Sequence, residues 1–493
     1  MSRNSKMDLC NGPILSRMFF YALPVMATGV LQVLYNAADT MVIGQFRGDE
    51  SLAAVSSTGA LTNLIVNLFL GLATGVLTVV ARHIGAQHHK RVRQSVHTAM
   101  LLALVCGIFL MILGVLVSGP LLKLMGTGAT EGSGVLPKAT LYMRIYFLGA
   151  PAFLIYNFGA SILRAAGDTK RPLIYLTISG ILNVLLNLLL VIVFHMDVEG
   201  VAIATIASQY LSAALVTVCL LRENSDIRLE LKRLRIYPKR LLEILRMGIP
   251  SGIQASLFSF SNVLIQSTVN TFGDLYVAGN GAAAQIENVL YTTMNAFYTA
   301  TMAFTSQNFG AHKKKRIKHT LLGGLFLNTC TILIVSLAVL SVADILLGFF
   351  TSNPVALEAG HARMRITTTS VFVGGVMDIF TGHLRGLGAS VVPMFTSLAG
   401  ICGLRVLWIA VFFPLLGGTW DILFLCYPLT WAVTALAHFA YSRFVKRHVL
   451  DRLSEEQDNA LILAEDTPHE ETFAVPDFED DSDEDDIPAG APV

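Results

Sequence analysis

A single carboxylate interrupts the first long apolar run of the chain: Asp39, in LYNAADTMVIGQF (34–46). Ionising an acid in hydrocarbon costs several kcal/mol, so such a residue is a functional candidate by default. Two amides, Asn183 and Asn187, stand in LNVLLNLLL (182–190), and a hydroxyl, Thr205, stands in VAIATIASQ (201–209). The i, i+4 spacing of the two Asn puts both on one face of a helix. A carboxylate, amide carbonyls and a hydroxyl are all oxygen donors. Together they suit either a hard cation or a protonatable acid with hydrogen-bond partners. The plainer reading of the Asn pair, hydrogen bonding between neighbouring helices, competes with this.

Those residues need helices to hold them at a common depth. The 493 residues are 54% hydrophobic and 14% charged, with mean hydropathy +0.61, well short of the charge of a soluble protein. The apolar segments run to about 20 residues, the length of a membrane-crossing helix. Twelve are expected, near 18–46, 52–80, 94–118, 140–163, 172–194, 199–221, 241–270, 280–305, 319–343, 360–384, 391–414 and 420–443. The fold class is thus an all-α integral membrane protein, in two lobes of six helices each. Counting 1.5 Å per residue places Asp39, Asn187 and Thr205 each about 9–10 Å below the same surface.

The expected organisation is a cytoplasmic N-terminus (1–17), an N-lobe (18–221), a cytoplasmic linker (222–240), a C-lobe (241–447) and an acidic cytoplasmic tail (448–493). After residue 450 there are 16 of the 34 acids and one base, leaving 34 bases against 18 acids before it, a net of +16. The tail is too acidic and too poor in packing residues to fold alone. With both termini cytoplasmic, six Lys and Arg fall outside and Arg405 is mid-span, so 28 of 35 are inside, the bias expected of a multi-pass plasma (inner) membrane protein. Five of the six Cys lie in apolar runs without a CxxC pair, as small buried hydrophobes do. No cleavable signal peptide, Walker motif, HExxH or metal-ligand cluster is expected, and no cofactor.

The halves repeat. IGAQHHKRV (84–92) matches FGAHKKKRI (309–317) at an offset of 225, and LRAAGDTKRP (163–172) matches LRGLGASVVP (384–393) at an offset of 221. Pro24 and Pro250 each fall early in the first span of a half, where a missing backbone hydrogen bond permits a kink. Six spans per half make the repeats parallel, as in transporters whose lobes rock about a central cavity.

On these features, the 6+6 layout, Pro24 and Asp39, the paired G-A-x-x-x-K/R loops and the paired R-x-x-G-x-[ST] loops, the chain resembles the multidrug and toxic compound extrusion (MATE) family over about residues 12–448. The resemblance implies a V-shaped pair of six-helix bundles that exports organic, often cationic compounds against inward H⁺ or Na⁺. It also implies an ion site in the N-lobe at positions matching Asp39, Asn183, Asn187 and Thr205, with a first helix that bends when its acid is protonated. Several members carry Asp where this chain has Asn187, which favours H⁺ here. A flippase for lipid-linked intermediates and a membrane-embedded enzyme are the alternatives.

Further cavity candidates are Tyr35, Asn157, Gln254, Asn262, Glu287, Tyr291, Asp378 and Arg405. Asp378 has Asn157 as its repeat counterpart. Helical rise puts Glu287 and Arg405 within about 5 Å of depth, so an ion pair or hydrogen-bonded contact between them is expected. The aromatics Tyr35 and Tyr291 offer cation–π contacts or packing. The expected partners are a small organic substrate, H⁺ or Na⁺ and membrane lipid. The chain is read as a monomer without nucleic acid.

Overall fold

The computed structural model describes residues 6–125 and 134–446, so the acidic tail at 448–493 and residues 1–5 lie outside the described residues. Every apolar segment is helical. The crossings are α1 (Ile14–Arg47), α2 (Asp49–Gly85), α3 (His89–Leu124), the pair α4 (Val135–Leu148) and α5 (Ala150–Ala165), α6 (Lys170–Leu188) and α7 (Val198–Leu221). The second half has α8 (Pro238–Asn270), α9 (Asp274–Gly310), α10 (Lys314–Ser341), the short α11 (Ala343–Gly348) and α12 (Pro354–Gly386). It closes with α13 (Val391–Ser397), α14 (Leu404–Leu407) and α15 (Phe413–Leu415) as one interrupted span, then α16 (Trp420–Phe424) and α17 (Cys426–Val445). Residues 440–493 group apart from residues 1–439; only the helical stretch 440–446 of that group is described.

Eight of these helices are long and apolar enough to cross a membrane, nine with the α4–α5 pair, which bends by 47°. The shortfall against twelve is α8, α9 and α12. Their Gly, Ser, Thr and amide content lowers their hydropathy, and their polar side chains point into the protein: Gln254, Ser261, Asn280, Thr293, Asn308 and Thr367 are all buried. Polar residues within spans are tolerated where they face a bundle interior rather than lipid.

α1 and α8 run unbroken through Pro24 and Pro250. The interruptions fall elsewhere: at Gly149, and at π-helical segments Leu189–Val193, Leu398–Gly403 and Trp408–Phe412. The duplication extends to backbone conformation. Gln87 and His312, 225 apart, are both left-handed with φ of 55° and 54°; Gly167 and Gly388, 221 apart, have φ of 82° and 97°.

The apolar cores show how the lobes meet. One core draws on both halves, from Met18, Val76 and Phe158 to Ile244, Phe304 and Ile379. It lies toward the end where the basic loops 86–93 and 311–318 emerge. At the far end each half has its own: Ile43, Leu110, Phe147 and Val201 in the first, and Ile265, Leu290, Phe424 and Trp431 in the second. Between α2 and α8, Asn67 Nδ2 donates to Ser259 Oγ at 3.1 Å. The segment 222–240 is packed rather than a free tether: Ile227 and Leu229 are buried, and the Glu230 amide donates to His97 Nε2.

Residues 6–12 strap the basic end across both halves. Lys6 pairs with Glu223 at 2.8 Å, and the Met7 amide donates to the Gly167 carbonyl. Asn308 donates to the Leu9 carbonyl and Lys313 to that of Cys10. The Glu223 carboxyl sits below its ordinary range, because bonds from Lys6 and Arg171 outweigh the opposing effect of burial.

Candidate functional site

Asp39 lies on the inner face of α1 and is 8% exposed. Asn187 Nδ2 donates to Asp39 Oδ1 at 2.5 Å, and Thr205 Oγ1 approaches Oδ2 at 3.2 Å. Thr205 has one proton to give and also lies 2.9 Å from the Val201 carbonyl. Asn187 Nδ2 lies 3.3 Å from Asn183 Oδ1, and Asn183 Nδ2 is 3.5 Å from Thr205 Oγ1. Three helices matched in depth by sequence thus meet around one carboxylate. Among the described residues no Lys, Arg or His pairs with Asp39, and no group of three or more His, Cys, Asp or Glu could hold a metal ion.

The other amide oxygen, Asn187 Oδ1, is buried without a hydrogen-bond partner, an arrangement that costs about 1–3 kcal/mol. Rotating that amide by half a turn presents an acceptor to Asp39. A protonated carboxyl could donate to it, and a hard cation could use it with the Asp39, Asn183 and Thr205 oxygens. The residues therefore fit either ion. The π-helical segment Leu189–Val193 starts two residues past Asn187; such bulges concentrate at functional sites.

Beside the carboxylate lies a cavity of about 120 Å³ lined by Asp39, Asn183 and Thr205, with Tyr35, Tyr142, Tyr146 and Tyr156 among its walls. Tyr35 fits because Gly180 has no side chain: a Cβ there would lie 1.7 Å from the Tyr35 ring. Tyr142, Tyr146, Gln32, Asn36 and Gln209 also line the cavity and were not singled out by sequence. Asn36 is i−3 from Asp39, a spacing that marks a shared helix face; the two tyrosines carry no such signal.

The second half departs from expectation. Glu287 does not pair with Arg405. It pairs with Arg363 of α12 at 2.7 Å and accepts a bond from Thr367, while Arg363 also donates to Asn280 Oδ1 at 2.5 Å. Matched depth did not select the partner, because azimuth around each helix decides which side chains face one another. Both Glu287 and Arg363 are buried. Arg363→Ala should therefore cost about 3–5 kcal/mol by leaving a buried charge unpaired. The check is the thermal unfolding midpoint in detergent, part of which Glu287→Gln should restore in the same chain.

Arg405 donates instead to Asn262 Oδ1 at 3.0 Å and packs 4.4 Å from the Tyr427 ring centroid. Gln254 is buried, donating to Ser397 and accepting from Arg385. Asn157 turns back to the Phe153 carbonyl of its own helix, and Tyr291 packs against the second-half core. Asp378 is half-buried, without a hydrogen bond or ion pair to the other described residues. None of these five joins the Asp39 cluster.

Two six-helix lobes, a core shared at the basic end, separate cores at the other and an ionisable group buried within one lobe describe a membrane transporter. The MatE family model matches residues 24–189 and 250–411, one stretch in each half, and the chain belongs to this family. It is a multidrug-efflux-type transporter and not an enzyme. The probable multidrug resistance protein YoeA of Bacillus subtilis (strain 168) is 27% identical over 454 residues, covering 88% of this chain and 95% of the relative. An FAD transporter of Shewanella oneidensis is 28% identical over 389 residues, covering 77% and 83%. A solved outward-facing multidrug resistance MATE family transporter of the MOP superfamily superposes with TM-score 0.84 at 21% identity, covering 92% of this chain and all of that one.

Proposed function

We propose that this chain exports small amphipathic, cationic organic compounds by antiport with H⁺ that enters from outside. The basic end then faces the cytoplasm and the far end the outside of the plasma membrane. The observation that carries this reading is the isolation of Asp39: a buried carboxylate with neutral partners only, one of which holds an idle acceptor. Ionised, Asp39 binds α1 to α6 and α7 through the Asn187 and Thr205 donors. Protonated, it needs neither in the same way, and its own O–H can turn to Asn183 Oδ1 or Asn187 Oδ1. The proton thus changes what holds α1 within the lobe, and coupling follows if the two lobe arrangements hold that proton with different affinity.

Na⁺ is the second reading, supported by the five oxygens available around the site. It has one acid to balance it, so H⁺ is preferred. Purified protein in liposomes, with imposed ΔpH or ΔpNa and a fluorescent cationic dye, separates the two. Flux driven by ΔpNa at fixed pH, with none driven by ΔpH, would overturn the proton reading. Asn187→Asp adds the second charge and should make flux respond to Na⁺.

A further inference from the structure

Arg405 is the mirror image of Asp39 in charge and in depth. It lies ten residues from the far end of its span at Leu415, about 15 Å at helical rise, against about 12 Å for Asp39 from Arg47. It is 4% exposed, and its Nε is buried with no partner. Its other contacts are neutral: Ser261 Oγ at 3.4 Å, Asn262 Oδ1 at 3.0 Å and the face of Tyr427. Among the described residues no carboxylate lies within ion-pair distance of it. The nearby acid, Glu287, is already engaged by Arg363. The three charges −1, +1 and +1 therefore leave this region with one uncompensated cation. Dipoles and a ring stabilise a guanidinium but do not neutralise it.

Position says where a counter-charge can arrive. Ser259 touches the opposite lobe through Asn67. Asn262, one turn further toward the far end, is exposed. Arg405 stands directly behind it. The π-helical segments Leu398–Gly403 and Trp408–Phe412 flank Arg405 on both sides, as π-segments often do at working sites.

We propose that Arg405, gated by Asn262, is a subsite for the carboxylate of a transported compound whose cationic part is held in the opposite lobe. The preferred cargo is then a zwitterion rather than a simple cation. The inference rests on the exporter reading and names the substrate class for it. An incoming carboxylate displaces the Asn262 carbonyl and accepts from the guanidinium, a charge-assisted bond stronger than the neutral one it replaces.

Rhodamine B and its ethyl ester share the cationic ring system and differ in the carboxylate. Equilibrium binding to the purified full chain should favour rhodamine B over the ester by about tenfold or more, the usual weight of a hydrogen bond to a charged group. Arg405→Gln should erase that preference while ester binding stays within about twofold, which also shows that the variant is folded. Arg405→Lys should keep part of the preference, since charge is retained without the forked geometry. Equal affinities for the two dyes in the natural protein, or equal loss of both in either variant, would overturn the subsite. Proton-driven efflux of the ester is read in parallel. Ester efflux without a carboxylate preference removes the subsite and leaves the exporter reading. A carboxylate preference without ΔpH-driven flux does the reverse, and failure of both dyes to bind or move removes both.

Discussion

Asp39→Asn should abolish ΔpH-driven export while leaving a folded protein that still binds substrate. The substitution keeps the size of the side chain and two hydrogen-bonding atoms, so the cage of Asn183, Asn187 and Thr205 retains partners. What it removes is the change of charge. An ion that binds two conformations equally shifts neither, however tightly it binds, and an amide cannot bind the proton at all. Ordinary coupling free energies correspond to factors of about 5 to 150, and ΔpH-dependent flux should fall by that order, to the uncoupled leak. The measurement is dye flux in liposomes with and without an imposed ΔpH, alongside equilibrium dye binding to show that the site survives. Equal ΔpH-driven flux in Asp39→Asn and the natural chain would remove Asp39 from the mechanism. The lone acid makes the result clean: among the described residues no second carboxylate lies within hydrogen-bonding reach to take over the proton.

The second large effect belongs to the seam at the basic end. Gly71 and Gly75 of α2 face Gly248 and Gly252 of α8 so closely that backbone meets backbone. A Cβ on Gly71 would lie 2.1 Å from the Gly252 nitrogen, and one on Gly252 would lie 2.2 Å from the Leu68 carbonyl oxygen. No flexible side chain can yield there, so even Ala forces the helices apart. Overpacking of this kind costs about 1–3 kcal/mol, enough to move a two-state equilibrium by roughly 5- to 150-fold at 1.4 kcal/mol per decade. Gly252→Ala should depopulate the arrangement closed at the basic end. Spin labels on the basic ends of α2 and α8 should report longer distances, and export should fall in step. Gly281→Ala is the control, since no atom lies within 4 Å of a Cβ there. Unchanged distances in Gly252→Ala would show that the seam does not govern closure. Small residues serve this position because they allow close approach without interlocking side chains, so the same surface can seal and part.

Much of this was legible one residue at a time. All twelve apolar stretches are helical, eight or nine of them long and apolar enough to cross a membrane, because hydropathy sums along the chain and a bilayer has one thickness. The duplicated loops reappear as matched left-handed positions at Gln87 and His312 and at Gly167 and Gly388. Asp39, Asn187 and Thr205 meet as their depths required, since a fixed rise per residue turns counting into height. Asn183 follows from its i, i+4 spacing.

Other features needed the third dimension. Height does not specify azimuth, so Glu287 found Arg363 and left Arg405 without an acid. The prolines marked in α1 and α8 do not interrupt their helices, whereas π-helical turns that no residue announced fall beside Asn187 and Arg405. The close approach of Gly71 to Gly252 and the tyrosine-walled cavity beside Asp39 are likewise products of packing. Apolar content and periodicity, properties of the chain by itself, determined that this is a duplicated helical membrane protein with an acid at risk in its first span. Which charges are paired, where the lobes touch and where they part depend on which faces of the helices meet, and only the packed structure decides that.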